Sequence, residues 1–414
     1  MRGLRIGATV ARHVGPGLVR RRDRTAAGLA PRIHRAVVAL GAPFIKLSQV
    51  VASSPGLFPP AISHELRDLL DAAPPEPWPA IRAAIEAGLG APAESLFESI
   101  EADPLAAASI AQVHGATRPD GSQVVVKVRR PGVEHRFLAD LRLLRLGARL
   151  AERWWSAARV LSPVAIVDDA VATVRRELDF VLEADSMERY AANLGAFGSN
   201  ERIRVPAVHR DRTGPGVLTM ERVEGVKVDD LTGMQLTGLD ITGLLKAGVR
   251  AWIESAVEHG FFHGDVHAGN LMLDGEGRVA FLDFGIMGEL DEATRALVRR
   301  GVVALLYRRD FEVVAGCLAQ LGAWAGTDVS TAAAATAIRR LAEPLLAKPI
   351  SEIDYQDVFA EAVRRAVPHG ARLPSSLVLL AKQILYFERY ARLIAPDYDI
   401  LADTGLIEFM IDDE

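Results

Sequence analysis

Apolar residues at helical spacing dominate the chain, and one region has a strand-like pattern instead. The first hundred residues predict helices, with a periodic stretch near residues 33–51 and a proline-dense connector, AAPPEPWP, at residues 72–79. Consecutive prolines cannot continue a helix, so the connector marks a boundary. Helical periodicity returns from about residue 134 to 194 and again beyond residue 231. The pattern predicts a mainly helical protein with a strand-containing segment in its first half.

The strand-like segment lies between residues 103 and 130. The run VVVKV at residues 124–128 predicts a strand, and Pro131-Gly132 ends it. Two further short strands are predicted between residues 205 and 220. A patch rich in Gly, His and Asp at residues 260–288 interrupts the later helices with strand-like breaks. Strands and helices therefore share the chain.

Composition places the chain among globular proteins. Half of its 414 residues are apolar and about a quarter are charged, and at this length two or three packed subdomains are expected. The single cysteine, Cys317, excludes an intramolecular disulfide and a cysteine-based zinc site, and favours a reducing compartment. No stretch reaches the roughly 18 to 20 uninterrupted apolar residues of a spanning helix. Apolar residues at 377–393 predict a buried C-terminal helix, with a membrane-facing helix as the alternative. We expect a cytoplasmic protein, with peripheral membrane contact left open.

Charge is unevenly distributed. The net charge of −5 gives no reason to expect nucleic-acid binding. Residues 1–35, however, carry nine arginines and one acid, Asp23. The basic segment has two equally weighted interpretations, which are a solvated disordered tail and a segment attracted to anionic lipid headgroups.

Two motifs near the middle of the chain supply the strongest candidate chemistry. HGDVHAGN at residues 263–270 carries Asp265 and Asn270, and FLDFG follows with Asp283. Carboxylate and amide oxygens are the ligands that Mg²⁺ prefers. The order Asp, Asn, then Asp-Phe-Gly is that of protein kinases. Isolated Asp and Asn are ordinarily turn residues, but the joint spacing favours a metal and phosphoryl-transfer site.

A lysine and three acids extend this site. Lys127 lies within the apolar strand 124–128, where burying its charge is costly unless an acid or a phosphate compensates it. In ELDFVLEA, Glu177, Asp179 and Glu183 fall on one predicted helix. Either Glu183 or Glu177 is expected to form the strand-to-helix ion pair with which kinases aim this lysine at phosphates.

Three features depart from a conventional protein kinase or compete with this interpretation. Residues 106–114, AAASIAQVH, stand where a kinase has a glycine-rich loop, and alanines have less access to positive φ, so this loop is expected to hold phosphates less flexibly. After Asp283 a helix-like stretch begins within about ten residues, which leaves no activation segment for docking a peptide. Histidines at 259, 263 and 267 would suggest a zinc face on a helix, but Gly260 and Gly264 weaken that helix.

These motifs together resemble the UbiB/AarF family of atypical kinase-like proteins, over roughly residues 41–288. GAPFIKLSQ, at residues 41–49, is similar to the family's KxGQ motif, although Ser48 stands where the family usually has glycine. AAASIAQVH resembles its alanine-rich loop, VVVKVRRPG its lysine strand and ELDFVLEA its ExD motif. The resemblance implies an α+β, bilobal protein-kinase-like fold. Its expected parts are an N-terminal helical extension at 1–100, an N-lobe at 101–225 and a mainly helical C-lobe at 226–414.

The resemblance also implies roles for individual residues. The nucleotide ATP is expected at Ala107, Ala108, Ser109, Lys127 and Glu221. Catalytic roles are expected for Asp265, Lys127 and Glu183, and Mg²⁺ is expected at Asn270 and Asp283. Lys46 is expected to meet Glu177 or Asp179 and so restrict access to the site. Gln49 is expected to share this regulatory role as a member of the same motif.

The implied activity is Mg²⁺-dependent ATP hydrolysis, or phosphorylation of a small molecule in a lipid, isoprenoid or quinone (ubiquinone-type) pathway. The expected partners are ATP, a lipid or isoprenoid molecule and an anionic membrane surface, with no nucleic acid. Two alternatives stay open. One is an ATP-binding regulatory or chaperone-like protein with little turnover, and the other is a protein kinase.

Overall fold

The computed structural model describes most of the chain and divides it into two compact units. Described residues are 2–16, 25–41, 44, 62, 65, 74–154, 163–198, 200–228, 230–323, 329–346, 375–395, 398 and 403–410. The first unit comprises Met1–Asp185 and Ala207–Arg222, and the second comprises Ser186–Pro206 and Val223–Glu414. We call them the N-terminal and C-terminal units.

The N-terminal unit combines helices with an antiparallel sheet. Its helices are α1 Arg2–His13, α2 Ala26–Leu40, α3 Trp78–Leu89, α4 Ala93–Leu96, α5 Val133–Trp154, α6 Pro163–Glu177 and the start of α7 Phe180–Ala196. Its strands are β1 Ser99–Ile100, β2 Ala106–Ala107, β3 Ala111–Thr117, β4 Gln123–Arg129 and β6 Val217–Glu221. The sheet order is β1-β3-β4-β6, and β2 pairs with β3.

Strand β4 is the centre of this sheet and confirms the strand predicted at residues 124–128. Its valines are β-branched, which favours extended backbone. Val124, Val126 and Val128 are fully buried in one apolar cluster with Ile81 and Ile85 of helix α3. Each such buried side chain contributes roughly 1.5 to 3 kcal/mol from removal of apolar surface from water. Helix α3 thus fixes one face of the strand that carries Lys127.

Local signals explain where the N-terminal helices begin and end. Helix α3 starts at Trp78, at the end of the proline-rich connector, and Pro79 is tolerated in its first turn because that turn needs no N–H partner. Helix α2 is capped by Thr25, whose hydroxyl accepts from the N–H of Gly28, and it ends at Gly41 with φ of 89°. Within the arginine-rich opening, residues 2–13 form helix α1, so the interpretation of a disordered tail is wrong for these residues.

The C-terminal unit is mainly helical with two small sheets. Its helices are the remainder of α7, then α8 Leu231–Leu236, α9 Ile241–Val257, α10 Glu292–Val303, α11 Phe311–Gln320, α12 Thr331–Leu346 and α13 Ser375–Ile394. Its strands are β5 Ile203–Arg204, β7 Gly225–Lys227, β8 Phe261–His263, β9 Leu271–Asp274, β10 Val279–Phe281 and β11 Met287–Glu289. One sheet has the order β5-β10-β9-β7, and β11 pairs with β8 in the other.

Helix α9 forms the core of the C-terminal unit. It begins at Asp240, whose carboxylate accepts from the N–H of Gly243, and most of its residues after Leu244 are buried. Trp252 of α9 packs edge-on against Phe262 of β8 and Phe387 of α13. The apolar stretch at 377–393 therefore contributes a packed helix, as the sequence favoured. No helix among the described residues combines the length and apolarity that crossing a membrane requires.

Helix α9 also buries a carboxylate, Glu254, which gives the stability of the fold a pH dependence. Burial raises the pKa of Glu254 from 4.5 to about 7, and a hydrogen bond from Asn200 opposes this rise. Arg250 also opposes the rise, whereas Glu258 adds to it. His259, 3.7 Å from Glu254, has a pKa lowered by burial and supplies no compensating charge at neutral pH. The folded state therefore binds this proton more tightly than the unfolded chain does.

We expect the thermal stability of the wild-type protein to fall as pH rises from about 4.5 to about 7, since the stabilisation from protonated Glu254 is lost over that range. The free-energy change is about 3 kcal/mol at most. Glu254→Gln keeps an acceptor for Asn200 and is expected to flatten the profile, measured as Tm between pH 5 and 8. Glu292→Gln, on the exposed start of α10, should leave the wild-type slope intact. An identical slope in Glu254→Gln would contradict the assignment.

Candidate functional site

The alanine-rich segment predicted as a loop is a tight β-hairpin. Strand β2 pairs with β3, and the N–H of Ala108 donates to the carbonyl of Ala111 at 2.9 Å. Among the described non-glycine residues only Arg309 has positive φ, so the turn through Ser109 uses ordinary backbone angles. Alanines suffice here because small side chains allow the close strand pairing without a left-handed residue. The predicted alanine-rich loop is therefore the turn of a hairpin, with Ala107 at the end of β2 and Ala108 and Ser109 in the turn.

Arg130 forms hydrogen bonds to the backbone of this hairpin. Its Nε donates to the carbonyl of Ala108 at 2.8 Å, and its backbone N–H donates to the carbonyl of Ile110 at 2.9 Å. Its guanidinium also lies 3.6 Å from the carboxylate of Glu76. Arg130 is buried, so these bonds replace the water that its charge would otherwise hold. The hairpin tip is thus fixed to the strand that carries Lys127.

A buried chain of polar side chains continues under the hairpin. The carboxamide of Gln112 accepts from the N–H of Glu76 and donates to Nε2 of His114 at 3.3 Å. Nδ1 of His114 donates to the carbonyl of Glu101 at 2.9 Å, which fixes the tautomer. Burial lowers the pKa of His114, so its imidazole is neutral and suits this chain of bonds. The sequence did not predict these contacts of Arg130, Gln112 and His114, although polar residues inside strand-like runs were a signal of them.

Lys127 and Glu183 form a buried ion pair within the N-terminal unit. Nζ of Lys127 lies 2.7 Å and 2.9 Å from the two carboxylate oxygens of Glu183, and the side chains are only 10% and 3% exposed. The ring of Phe180 lies beneath the ammonium, 5.3 Å away. Of the two glutamates that the sequence left open, the structure places Glu183 on Lys127.

The acids of ELDFVLEA do not share one helix, which corrects the sequence prediction. Glu177 is the last residue of α6, and α7 begins at Phe180. Between them Asp179 accepts from the N–H of Val181 at 3.1 Å and so starts the second helix as a capping residue. Because of this break between the helices, Glu183 lies in the first turn of α7. Glu177 is buried at the end of α6.

The 263–270 loop of the C-terminal unit is held by its own side chains. The N–H of Asp265 donates to Nδ1 of His263 at 3.1 Å, and Nδ2 of Asn270 donates to the carbonyl of Asp265 at 3.1 Å. The ring of His267 accepts from the N–H of Gly269 and caps the short 3₁₀ turn Ala268–Asn270. These bonds present the Asp265 carboxylate at the bend of the loop.

The three histidines of this region do not form a zinc face. Residues 261–263 form strand β8, so the helical spacing that would align them does not exist. His263 is fully buried beside Phe281 and Phe284, and burial lowers its pKa to about 4. Within the described parts of the chain, no group of three or more His, Cys, Asp or Glu side chains is placed to hold a metal ion. His263 is a neutral structural residue of the loop.

Asn270 and Asp283 lie at the same end of one sheet. Leu271 of β9 is paired with Phe281 of β10, and the N–H of Leu282 donates to the carbonyl of Asn270 at 3.0 Å. The Asp283 carboxylate accepts from the N–H of Gly285 at 3.0 Å, which fixes its rotation. The next residue, Phe284, is buried edge-on against Tyr190. The sheet register therefore brings together the two residues predicted to bind Mg²⁺.

Oxygen chemistry at this end of the sheet fits Mg²⁺. The amide nitrogen of Asn270 is used internally, which leaves its carboxamide oxygen as the ligand atom, and Asp283 contributes a carboxylate. Two protein ligands are too few for a protein-only metal site. They suit Mg²⁺, which usually binds through one or two protein oxygens together with substrate phosphates and water.

Helix α13 supplies side chains to the 263–270 loop that the sequence analysis did not identify. Lys382 donates to Oδ1 of Asp265 at 2.8 Å, and the neighbouring Gln383 bonds the loop backbone. Polar residues inside an apolar helix were the signal, but their target lies more than a hundred residues away.

Two groups of predicted residues remain, which are Glu221 of the nucleotide site and the residues of the KxGQ-like motif. Glu221 ends strand β6, where it is paired with Val124, and its carboxylate accepts from the N–H of Ala207. Lys46, Ser48 and Gln49 lie outside the described residues. Their predicted role stays a prediction.

Comparison with known proteins assigns most of the chain to two related domain families. The ABC1 atypical kinase-like domain matches residues 68–317, and the UbiB helical domain matches residues 338–399. A Mycobacterium tuberculosis protein is 41% identical over 89% of this chain and 75% of its own length. The probable protein kinase UbiB of Marinobacter nauticus is 34% identical over 89% of this chain and 67% of its own length.

A solved structure shares the fold. It is a Mycobacterium tuberculosis protein in complex with erythromycin, 23% identical, with a TM-score of 0.53, covering 80% of this chain and 85% of that one. At this identity the likeness concerns the fold alone, and it agrees with the α+β, kinase-like architecture expected from the sequence. With the two family matches and the UbiB relatives, the conclusion is that this chain belongs to the ABC1/UbiB family of atypical kinase-like proteins.

Proposed function

We propose that this protein is a Mg²⁺-dependent ATPase, or a small-molecule kinase, of the atypical kinase type. The observation that carries the proposal is the register of β9 and β10, which puts Asn270 opposite Leu282, the residue before Asp283, after the loop that presents Asp265. Membership of an atypical kinase-like family supports ATP as the nucleotide.

Each residue then has a chemical task. Lys127, kept in place by Glu183, binds phosphate oxygens of ATP. The N–H of Ala108 is used within the hairpin, so the N–H of Ser109 at its tip is the donor to phosphate. Asn270 and Asp283 hold Mg²⁺. When bound, Mg²⁺ would offset the negative charge of the phosphates. Asp265 orients the attacking water, or the hydroxyl of an acceptor, and takes up its proton.

The backbone after Asp283 favours a small acceptor. Strand β11 starts two residues after Gly285 and pairs with β8, and α10 is capped by Asp291 shortly afterwards. This leaves no long segment on which a peptide would dock, in contrast to protein kinases. The resemblance of the motifs to the UbiB/AarF family implies an acceptor from a lipid, isoprenoid or ubiquinone-type pathway. Lys46 and Gln49 would restrict access further, as the family resemblance implies.

Steady-state hydrolysis of ATP by the purified chain tests the proposal. We expect phosphate release that requires Mg²⁺ and stops when EDTA removes it. Asp265→Asn should keep nucleotide affinity while losing most turnover, because it retains the loop but not the proton acceptor. Wild-type protein that binds Mg²⁺-ATP but forms no ADP, either alone or with lipid or isoprenoid acceptors, would remove the proposal.

Transfer to a protein is a second candidate, because the UbiB relatives carry the name probable protein kinase. Incubation with labelled ATP and a mixture of peptide acceptors decides between them. Incorporation into peptides faster than phosphate release to water would favour the second candidate.

A further part of the proposal concerns anionic membranes. Helix α1 carries basic residues in its last turn, Arg12 and His13, and has no acid in its first turn. Basic residues close to an anionic surface contribute about 1 kcal/mol each. Vesicles containing anionic lipid should carry the protein upward in flotation at low salt and release it at high salt, since salt screens this attraction.

A further inference from the structure

Helix α13 contacts the 263–270 loop at three consecutive residues. The carboxamide of Gln383 donates to the carbonyl of Gly264 and accepts from the N–H of Val266 at 2.8 Å. The hydroxyl of Tyr390 donates to the carbonyl of Val266 at 3.0 Å. The loop backbone is therefore fixed on both sides of Asp265 by side chains of one helix.

Lys382 makes a different kind of contact, because it bonds the functional group of the loop instead of its backbone. Its ammonium lies 2.8 Å from Oδ1 of Asp265, and the ring of Tyr386 lies 5.5 Å from the same nitrogen. On the other side, Nε2 of His267 lies 3.7 Å from Oδ2. The two carboxylate oxygens of Asp265 thus face two different side chains, which define its rotation.

The loop itself has no cation for this purpose. Residues 261–277 contain neither Lys nor Arg. Phosphoryl transfer concentrates negative charge around the carboxylate that orients the nucleophile, so a nearby cation favours the reaction. Helix α13 brings such a cation from more than a hundred residues away along the chain.

Stability alone does not explain this lysine. Lys382 is buried, and the cost of removing an ammonium from water largely offsets the attraction of an acid. The partner carboxylate is still 22% exposed, which weakens the attraction further. Gln383 and Tyr390 already hold the loop backbone. The contact between Lys382 and the Asp265 carboxylate is therefore better explained by a role in the reaction than by a role in stability.

We propose that Lys382 is a positioning residue of the reaction, which aims the Asp265 carboxylate at the nucleophile from helix α13. The inference rests on the proposed function, since it assigns Lys382 to the same site. Helix α13 then contributes directly to the geometry of the reacting carboxylate.

Steady-state ATP hydrolysis by the full chain tests the inference, with Lys382→Met as the neutral variant. We expect kcat to fall roughly 100-fold, as for other displacements of a catalytic group by about 1 Å, while KM for ATP stays within about twofold. Lys382→Arg, which keeps the charge, should recover kcat to within about tenfold of wild type. Lys246→Met is the control, because it removes another lysine–aspartate ion pair of the same unit, 2.7 Å from Asp403. The Lys246 side chain is 44% exposed, and its loss should leave kcat unchanged.

A second comparison separates positioning from a merely structural role. In an Asp265→Asn background, Lys382→Met should cause little further loss of kcat, because Lys382 acts through Asp265. If Lys382→Met does not fold, Lys382→Gln replaces it in both comparisons.

The outcomes are distinct. Equal kcat in wild type and the neutral variants overturns the inference and leaves the proposed function standing. A loss that is as large in the Asp265→Asn background as in the wild type also overturns it. Absence of turnover in the wild-type chain removes the proposed function, and the inference with it.

Discussion

Replacing Asp283 with asparagine is expected to lower Mg²⁺-dependent ATP turnover by roughly 100-fold or more. Asparagine keeps the acceptor for the N–H of Gly285, so the backbone after β10 should retain its shape. The substitution removes the single negative charge that this position offers a cation. Loss of one preorganised electrostatic group commonly costs a factor of about 10² to 10³ in kcat.

The measurement is kcat as a function of Mg²⁺ concentration, with Tm as a check on folding. Asp291→Asn is the matched control, because Asp291 lies only a few residues away and caps α10, and asparagine caps helices equally well. We expect the control to retain wild-type turnover. Unchanged turnover and Mg²⁺ dependence in Asp283→Asn would show that the metal ligand has been assigned wrongly.

The buried pair of Lys127 and Glu183 is expected to dominate the effect of substitutions in the N-terminal unit. Glu183→Gln removes the negative charge opposite an ammonium that is only 10% exposed. Breaking a buried ion pair from one side costs about 3 to 5 kcal/mol, because a charge is left in a medium of low dielectric. We expect a matching fall in Tm, and nearly complete loss of turnover because Lys127 is no longer aimed.

A double substitution separates the pair from its surroundings. Lys127→Met combined with Glu183→Gln should recover most of the stability lost in Glu183→Gln alone, but no activity. Asp168→Asn is the control, because it breaks the pair between Asp168 and Arg145, whose side chains are 42% and 43% exposed, and should cost less than about 1 kcal/mol. Additive stability losses in the double variant would mean that the two side chains do not depend on each other.

The sequence predicted the elements whose signals are local. A run of β-branched residues around Lys127 predicted strand β4. The spacing of Asp265, Asn270 and Asp283 predicted that one loop carries the first two residues and that a second loop, after a strand, carries Asp283. Local sequence was less informative where a single side chain decides between one continuous helix and two separate helices. Asp179 was expected inside a helix, but its side chain bonds the N–H of Val181 and starts a new helix there.

Contacts between distant parts of the chain were not predictable from the sequence. Nothing in the periodicity of α13 indicates that Lys382 meets Asp265, because only the folded backbone brings them together. The Ala108 hairpin was missed for a related reason. Its turn has none of the glycine or asparagine signals of common hairpins, and its stability comes in part from Arg130, which follows strand β4.

A single-turnover experiment tests the central claim most directly. Protein in excess over labelled ATP is mixed with Mg²⁺, and the nucleotide is recovered after increasing times. The account predicts that wild-type protein converts the bound ATP to ADP, whereas Asp265→Asn binds the ATP and leaves it intact. Recovery of uncleaved ATP from the wild-type protein, at concentrations where binding is complete, would contradict the account and identify a nucleotide sensor instead.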